Sequence, residues 1–267
     1  RRVEQDGRAV LGLTLGVPGL VEADGSVHLA PNLAWRDLDL RSRLAAELGE
    51  PAYPIAVDND ANLAASAEYR YGAHAGTPDL AYLTGEVGIG TGIIAGGRLL
   101  RGARGFAGEL GHIQLDPTGP RCACGRRGCL EALVGITAVL RRVAPEAFAE
   151  RPPTDWEPEV AEVVRRARAG DSGVLEVLAD VGGWLGRGAA IVANLVNPEV
   201  IVLGGYFVPL APWLLPAAQD RLREETVAAD AGGARIVASA LGQRAAAAGG
   251  AARVLEEVDS GALPRMA

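Results

Sequence analysis

Short apolar runs recur along this chain of 267 residues and are separated by longer stretches in which apolar and polar positions mix. Several runs are rich in β-branched residues and stop at glycine, proline or a polar turn, as buried strands do. This pattern predicts strands within residues 9–21, 54–60, 79–100, 199–205 and 234–239. The run at 79–100 is rich in glycine and predicts a hairpin whose backbones approach closely.

The stretches between these runs carry apolar residues at helical spacing. They predict helices that end at Gly49 and Gly72, and further helices over 174–196, near 210–228 and through 243–258. Residues 31–35 and the proline-rich stretch 144–160 are predicted to be loops. Strands that alternate with helices indicate an α/β fold with mostly parallel sheets.

Polar side chains stand where these predicted strands end. Asn59 and Asp60 follow a strand and precede a helix, and ligands of α/β sheets bind at such strand ends. Asn32, Glu109 and Glu131 are further candidates, because carboxylates and amides take neighbouring sugar hydroxyls in pairs of hydrogen bonds. Two simpler interpretations stay open: Asp60 could only cap its helix, and Asn32 could only close a turn.

A candidate metal site lies within residues 112–129, which hold one histidine and every cysteine of the chain. We predict that His112, Cys122, Cys124 and Cys129 bind Zn²⁺, which takes four such ligands tetrahedrally. Because no position is left open for water, the ion is expected to be structural and to orient the nearby Glu109. A disulfide with one spare thiol, or three unrelated cysteines, are the alternatives.

Composition narrows the function classes. The net charge of −7 gives the chain no general attraction to phosphate backbones or acidic lipids. All 26 basic residues are arginines, which removes Schiff-base lysines and lysine-bearing phosphate loops from consideration. No apolar run is long enough to span a membrane, and the free thiols predict a reducing compartment, the cytoplasm. The chain begins without methionine, which suggests that an upstream segment is missing.

One long segment resembles the signature of the ROK family, which groups bacterial sugar kinases with sugar-responsive transcriptional repressors. The segment reads GIGTGIIAGGRLLRGARGFAGELGHIQLDPTGPRCACGRRGCLE. The resemblance continues through GVPG, PNLAW and NDAN before it and IVLGGYF after it, so it covers nearly the whole chain. GELGH followed by the three cysteines is its most specific part.

The resemblance implies an actin-like (ribonuclease H-like) two-lobed α/β fold whose N-terminal lobe is truncated here. The smaller lobe would hold residues 1–79, with the terminal helix within 243–267 packed back on it, and residues 80–242 would form the larger, zinc-bearing lobe. A hexose or related sugar would bind between the lobes and contact Asn32, Asn59, Asp60, Glu109, His112 and Glu131. In the kinases, the residue that matches Asp60 deprotonates the attacking hydroxyl. His112 would serve both zinc and sugar.

The departures from the kinase pattern are informative. Family kinases carry an Asp-x-Gly-x-Thr phosphate loop on their first strand, and this chain starts after that point. Where the kinases have Leu-Gly-Thr-Gly, Glu86 and Val87 replace the glycine and the threonine. Glu86 would repel a nucleotide phosphate, Val87 lacks a hydroxyl, and Thr91 lies too far along to be a good substitute. GEVGIG and LGGYFVPLAPWL resemble the repressor branch instead.

The first hypothesis is therefore a sugar-responsive transcriptional regulator, of which this chain is the effector-binding and oligomerisation region. DNA would be bound only through a missing N-terminal helix-turn-helix, and the resemblance suggests a homodimer or homotetramer. The alternative is an ATP- and Mg²⁺-dependent hexose kinase, acting on glucose or an N-acetyl amino sugar with Asp60 as general base. A sugar-binding body without any DNA partner is the third possibility.

Overall fold

The computed structural model describes residues 9–86, 88–145, 156–227, 229–231 and 233–261. The strands are β1 Leu13–Val17, β2 Leu20–Val21, β3 Val27–Ala30, β4 Trp35–Leu38, β5 Ile55–Asn59, β6 Leu80–Gly85, β7 Ile89–Ala95, β8 Arg98–Leu99, β9 Val200–Gly205 and β10 Arg235–Ala238. The α-helices are α1 Leu40–Glu47, α2 Asp60–Tyr71, α3 Leu130–Val134, α4 Ile136–Val143, α5 Glu157–Arg168, α6 Ser172–Val196, α7 Phe207–Glu225 and α8 Ala245–Asp259. Short 3-10 turns lie at Pro31–Leu33, Leu110–His112, Ala229–Ala231 and Gly242–Arg244.

The strands form mixed sheets. A five-stranded sheet has the order β10-β9-β6-β7-β8, in which β10, β9 and β6 are parallel and β7 and β8 are antiparallel additions. Strands β1 and β5 form a parallel pair, and β2, β3 and β4 form an antiparallel sheet. The predicted α/β fold is confirmed, and the parallel strands share the sheets with antiparallel hairpins.

The largest hydrophobic core lies beside the five-stranded sheet, where α6 and α7 pack together. Leu203 of β9, Leu185 of α6 and Phe207 and Leu214 of α7 are among its fully buried side chains. A separate small core joins the β2-β3-β4 sheet to β1 and β5 through residues such as Val27. The predicted helix over 174–196 is confirmed, although these residues include four glycines. None of the described helices is both long enough and apolar enough to cross a membrane.

Two of the predicted loops are partly wrong. Within residues 31–35, a 3-10 turn forms and Trp35 begins β4, because its backbone pairs with Ala30 across the β3-β4 ladder. Within 144–160, residues 146–155 lie outside the described residues, but α5 begins at Glu157. Its proline falls in the first helical turn, where a missing backbone N–H costs nothing.

The C-terminal helix α8 lies against α2 and β1. Arg70 of α2 and Glu256 of α8 form an ion pair across this contact. Residues 1–8 and 262–267, which belong to the predicted smaller lobe, lie outside the described residues. The division of the chain at residue 79 stays a prediction.

Candidate functional site

A single cleft of about 1550 Å³ brings the predicted site residues together. It receives side chains from the β5-α2 junction, from the start of β7, from the 3-10 turn at Leu110–His112 and from α3. Its lining includes Asn32, Asn59, Asp60, Glu109, His112 and Glu131. Arg36, Tyr82 and Glu86 also line it, of which sequence reasoning had singled out only Glu86.

The junction between β5 and α2 presents two polar side chains to the cleft. Asn59 caps α2, since its Oδ1 accepts from the Asn62 backbone N–H at 3.1 Å, and its Nδ2 donates to the Gly19 carbonyl at 3.0 Å. One N–H and one lone pair of this amide remain for a ligand. Asp60 is therefore not the helix cap; it occupies the first helical position, where burial raises the pKa of its carboxyl.

Glu109 and His112 stand at opposite ends of the same short turn. Glu109 Oε2 lies 3.9 Å from His112 Nε2. Burial raises the pKa of Glu109; the nearby His112 opposes this shift, while Glu131 and Asp60 add to it. Glu131 at the start of α3 is anchored from two sides: its Oε2 accepts from the Ile89 backbone N–H at 3.2 Å, and its Oε1 lies 3.5 Å from Cys122 Sγ.

The four predicted metal ligands are close together in space. Their ligand atoms all lie within 4.8 Å of one another. Cys124 Sγ and Cys129 Sγ are 3.6 Å apart, and His112 Nδ1 is 3.7 Å from Cys122 Sγ. Zinc–sulfur bonds of about 2.3 Å at a tetrahedral angle give a sulfur–sulfur distance near 3.8 Å, so the spacing suits Zn²⁺. The three thiols are free, so this grouping could bind a metal ion.

The imidazole of His112 has a different neighbour on each nitrogen. Its Nδ1 faces the thiols, whereas its Nε2 faces Glu109 and the cleft. Burial raises the pKa of the Cys122 thiol to about 12, which disfavours the thiolate until a cation is present. A divalent ion would reverse this preference and fix the orientation of the ring.

Glu86 follows β6 and lies at the carboxyl end of β9. A Cβ built on Gly205 would stand 2.9 Å from Glu86 Oε1, so the carboxylate lies directly against this glycine turn. Burial, and then the nearby Asp60, raise the pKa of Glu86. Val87, the second departure from the kinase pattern, lies outside the described residues. Thr91 is buried within β7 and is not among the cleft-lining residues.

An ionic network beside the cleft was not predicted. The Asp58 side chain is only 4% exposed and lies between two guanidinium groups. Arg101 binds it through two hydrogen bonds, at 2.6 and 3.1 Å, and Arg253 of α8 binds it at 2.8 Å. The Asp58 carboxylate raises the pKa of Arg101. An aspartate at a strand end was visible in the sequence, but its distant partners carried no local signal.

Comparison with known proteins identifies the family to which the chain belongs. The model of the ROK family matches residues 1–257. The chain belongs to the ROK family. It is 34% identical over 261 residues to a glucokinase from Halalkalibacterium halodurans, with 94% of this chain and 78% of that protein covered. It is 29% identical over 255 residues to a xylose repressor from Bacillus subtilis, with 96% of this chain and 64% of that protein covered.

Solved structures from both branches of the ROK family share the fold. A glucokinase from Streptomyces griseus, in complex with glucose and AMPPNP, matches with a TM-score of 0.79 at 30% identity and covers 94% of this chain and 84% of its own. A ROK family transcriptional regulator, a homologue of the E. coli MLC protein, matches with a TM-score of 0.83 at 29% identity and covers 97% of this chain and 66% of its own. The family includes kinases and regulators, so likeness alone does not choose between them.

Proposed function

We propose that this chain is the effector-binding and oligomerisation region of a sugar-responsive transcriptional regulator that does not phosphorylate its ligand. The observation that carries this proposal is the Glu86 carboxylate against the Gly205 turn, beside Asp60. In the kinase pattern a small glycine stands at the position of Glu86 and a threonine hydroxyl at that of Val87. A carboxylate there opposes a polyanionic nucleotide phosphate.

The ligand we propose is a neutral monosaccharide in the cleft. Its hydroxyls would bind Asn32, Asn59, Asp60, Glu109, His112 and Glu131, all of which line this space. One hydroxyl could bridge Glu109 Oε2 and His112 Nε2, because bonds of about 2.8 Å to each atom are compatible with their 3.9 Å separation. Asp60 would act as an acceptor of a sugar hydroxyl and not as a base.

We further propose that the metal is a structural Zn²⁺ ion. His112, Cys122, Cys124 and Cys129 would hold it, and His112 would present its second nitrogen to the sugar. The ion would supply rigidity to the turn that carries Glu109, and no step of sugar recognition needs a metal-bound water. Three free thiols would stay reduced, and so able to bind the metal, in the cytoplasm.

DNA would be bound through a helix-turn-helix outside this chain, in a homodimer or homotetramer. Sugar that contacts both sides of the cleft would favour a closed arrangement over an open one. The difference in affinity for the two arrangements would change how paired DNA-binding units are presented. The acidic charge of this region is consistent with a role away from DNA.

The test is a pair of measurements on one preparation. Isothermal titration with D-glucose, D-xylose and N-acetyl-D-glucosamine is expected to give saturable binding of at least one sugar. A coupled assay for ADP release, with the same sugar and Mg-ATP, is expected to give no sugar-dependent turnover. The absence of binding across the three sugars would contradict the proposed ligand class.

The second candidate function is an ATP-dependent hexose kinase, which the half-buried Asp60 at the cleft favours. The raised pKa of its carboxyl would help it to accept a proton from a sugar hydroxyl near neutral pH. Sugar-dependent ADP release that is lost in Asp60→Asn would establish this function and overturn the first. The isosteric amide keeps the shape of the site, so such a loss would report the chemistry.

A further inference from the structure

The bridging loop, which we define as residues 100–108, connects the five-stranded sheet to elements on the other side of the cleft. It begins after β8 and ends immediately before Glu109. Its Arg104 forms an ion pair with Glu22, and its Phe106 stacks on His28 of β3 with ring centroids 6.0 Å apart. The loop therefore lies across the small antiparallel sheet.

The path from Asp58 to Glu109 along this loop is short. The Arg101 guanidinium is fixed by two hydrogen bonds to the buried Asp58 carboxylate. The Arg101 backbone carbonyl accepts from the Ala107 N–H at 3.1 Å, which closes the loop on itself. Glu109 follows Ala107 by two residues, so the conformation of Arg101 constrains the backbone that presents the Glu109 carboxylate.

Asp58 also belongs to the segment that carries Asn59 and Asp60. It is the fourth residue of β5, and its own Oδ1 accepts from the Asn59 backbone N–H at 2.9 Å. The Asp58 carboxylate therefore contacts the segment that carries Asn59 and Asp60 and, through Arg101, the bridging loop that leads into Glu109. Arg253 binds the same carboxylate but connects it only to the C-terminal helix α8.

We infer that Arg101, held by Asp58, is a positioning residue that sets the distance between Glu109 and the Asn59–Asp60 pair across the sugar site. This inference rests on the proposed sugar-binding function. Arg101 is not among the cleft-lining residues and would not contact the sugar. It would act by fixing two binding groups at the separation that adjacent hydroxyls require, because displacement of such groups weakens binding.

The structure provides a matched pair of variants to test this role. Arg101→Met and Arg253→Met each remove one guanidinium from the same buried carboxylate, so both are expected to lower the melting temperature. Only Arg101→Met releases the bridging loop. We expect it to weaken binding of the tightest of D-glucose, D-xylose and N-acetyl-D-glucosamine by roughly tenfold or more, and Arg253→Met by less than about threefold.

Amide hydrogen exchange of the sugar-free proteins gives a second readout. Exchange over residues 100–112 is expected to accelerate in Arg101→Met but not in Arg253→Met. Equal sugar affinity in Arg101→Met and the wild type, or equal losses in the two variants, would overturn the positioning role and leave the proposed function intact. A wild type that binds none of the three sugars would overturn both.

Discussion

His112 Nε2 lies 3.9 Å from Glu109 Oε2, while the other ring nitrogen, Nδ1, lies 3.7 Å from Cys122 Sγ. This arrangement couples the candidate metal cluster directly to the cleft. A ring whose Nδ1 binds a cation loses its freedom to rotate, and its Nε2–H is then presented in one direction. Under the proposed function, a metal ion in this cluster would affect sugar binding through the orientation of His112.

Removal of the metal is expected to weaken sugar binding and lower the melting temperature together. Purified protein should contain a single zinc ion per chain by elemental analysis, and chelation should reduce sugar affinity by roughly tenfold or more, since the turn at Leu110–His112 loses its anchor. Added zinc should restore the wild type but not Cys129→Ser. Chelated protein that kept its full affinity and melting temperature would contradict the structural role.

Asp60→Asn is expected to stabilise the sugar-free protein at neutral pH while it removes sugar binding. Burial raises the pKa of Asp60, so the folded chain binds this proton more tightly than the unfolded chain does. The ionised carboxylate consequently destabilises the fold at pH 7. This penalty disappears as the pH falls through the raised pKa toward the unfolded value of about 3.9.

Chemical unfolding of the wild type and Asp60→Asn between pH 4 and pH 7 tests whether the substitution stabilises the fold. The difference in unfolding free energy should be largest near neutral pH and should shrink toward pH 4. Asp230→Asn, at an exposed turn away from the cleft, is a control that should show no such gain. A variant less stable than the wild type at pH 7 would refute the prediction.

Glu86→Gln is expected to raise the affinity for AMPPNP. The substitution removes one negative charge beside the Gly205 turn, and we expect a gain of roughly threefold to tenfold at low salt that diminishes at high salt. Competition against a fluorescent nucleotide measures it. Glu224→Gln on α7, which does not line the cleft, should have no effect. Tight binding of AMPPNP by the wild type would contradict the regulator proposal.

Substitution of alanine for glycine is expected to have opposite effects on stability at two positions of α6. A Cβ on Gly186 would stand 2.3 Å from the Ala218 carbonyl oxygen of α7, whereas a Cβ on Gly183 meets nothing within 4 Å. Gly186→Ala should destabilise the protein by about 1–3 kcal/mol. Gly183→Ala should stabilise it by about 0.5–1 kcal/mol, because alanine restricts the unfolded chain and favours helix. Thermal unfolding of the two variants, side by side, measures the contrast.

Much of the site was predictable because its signals are local. Three cysteines and a histidine fall within residues 112–129, a spacing that a short turn-rich loop can fold around one ion, and their ligand atoms lie close together. The strand that ends in Asn59 was equally readable, since an apolar β-branched run stops at polar residues. The sequence left open whether Asp60 caps its helix, and the structure gives that role to Asn59, because the Asn59 side chain turns toward the Asn62 N–H.

The sequence by itself determined the α/β class, most of the longer strands and helices, the ROK family and the candidate metal cluster, since each follows from residues close together in the chain. Only the tertiary structure decided which distant groups meet. Asp58 reaches Arg101 and Arg253 across separations of 43 and 195 positions, and Glu86 reaches Gly205 through the pairing of β6 with β9. Such contacts leave no periodicity in the chain, because the packing of whole elements, and not the spacing of residues, brings their side chains together.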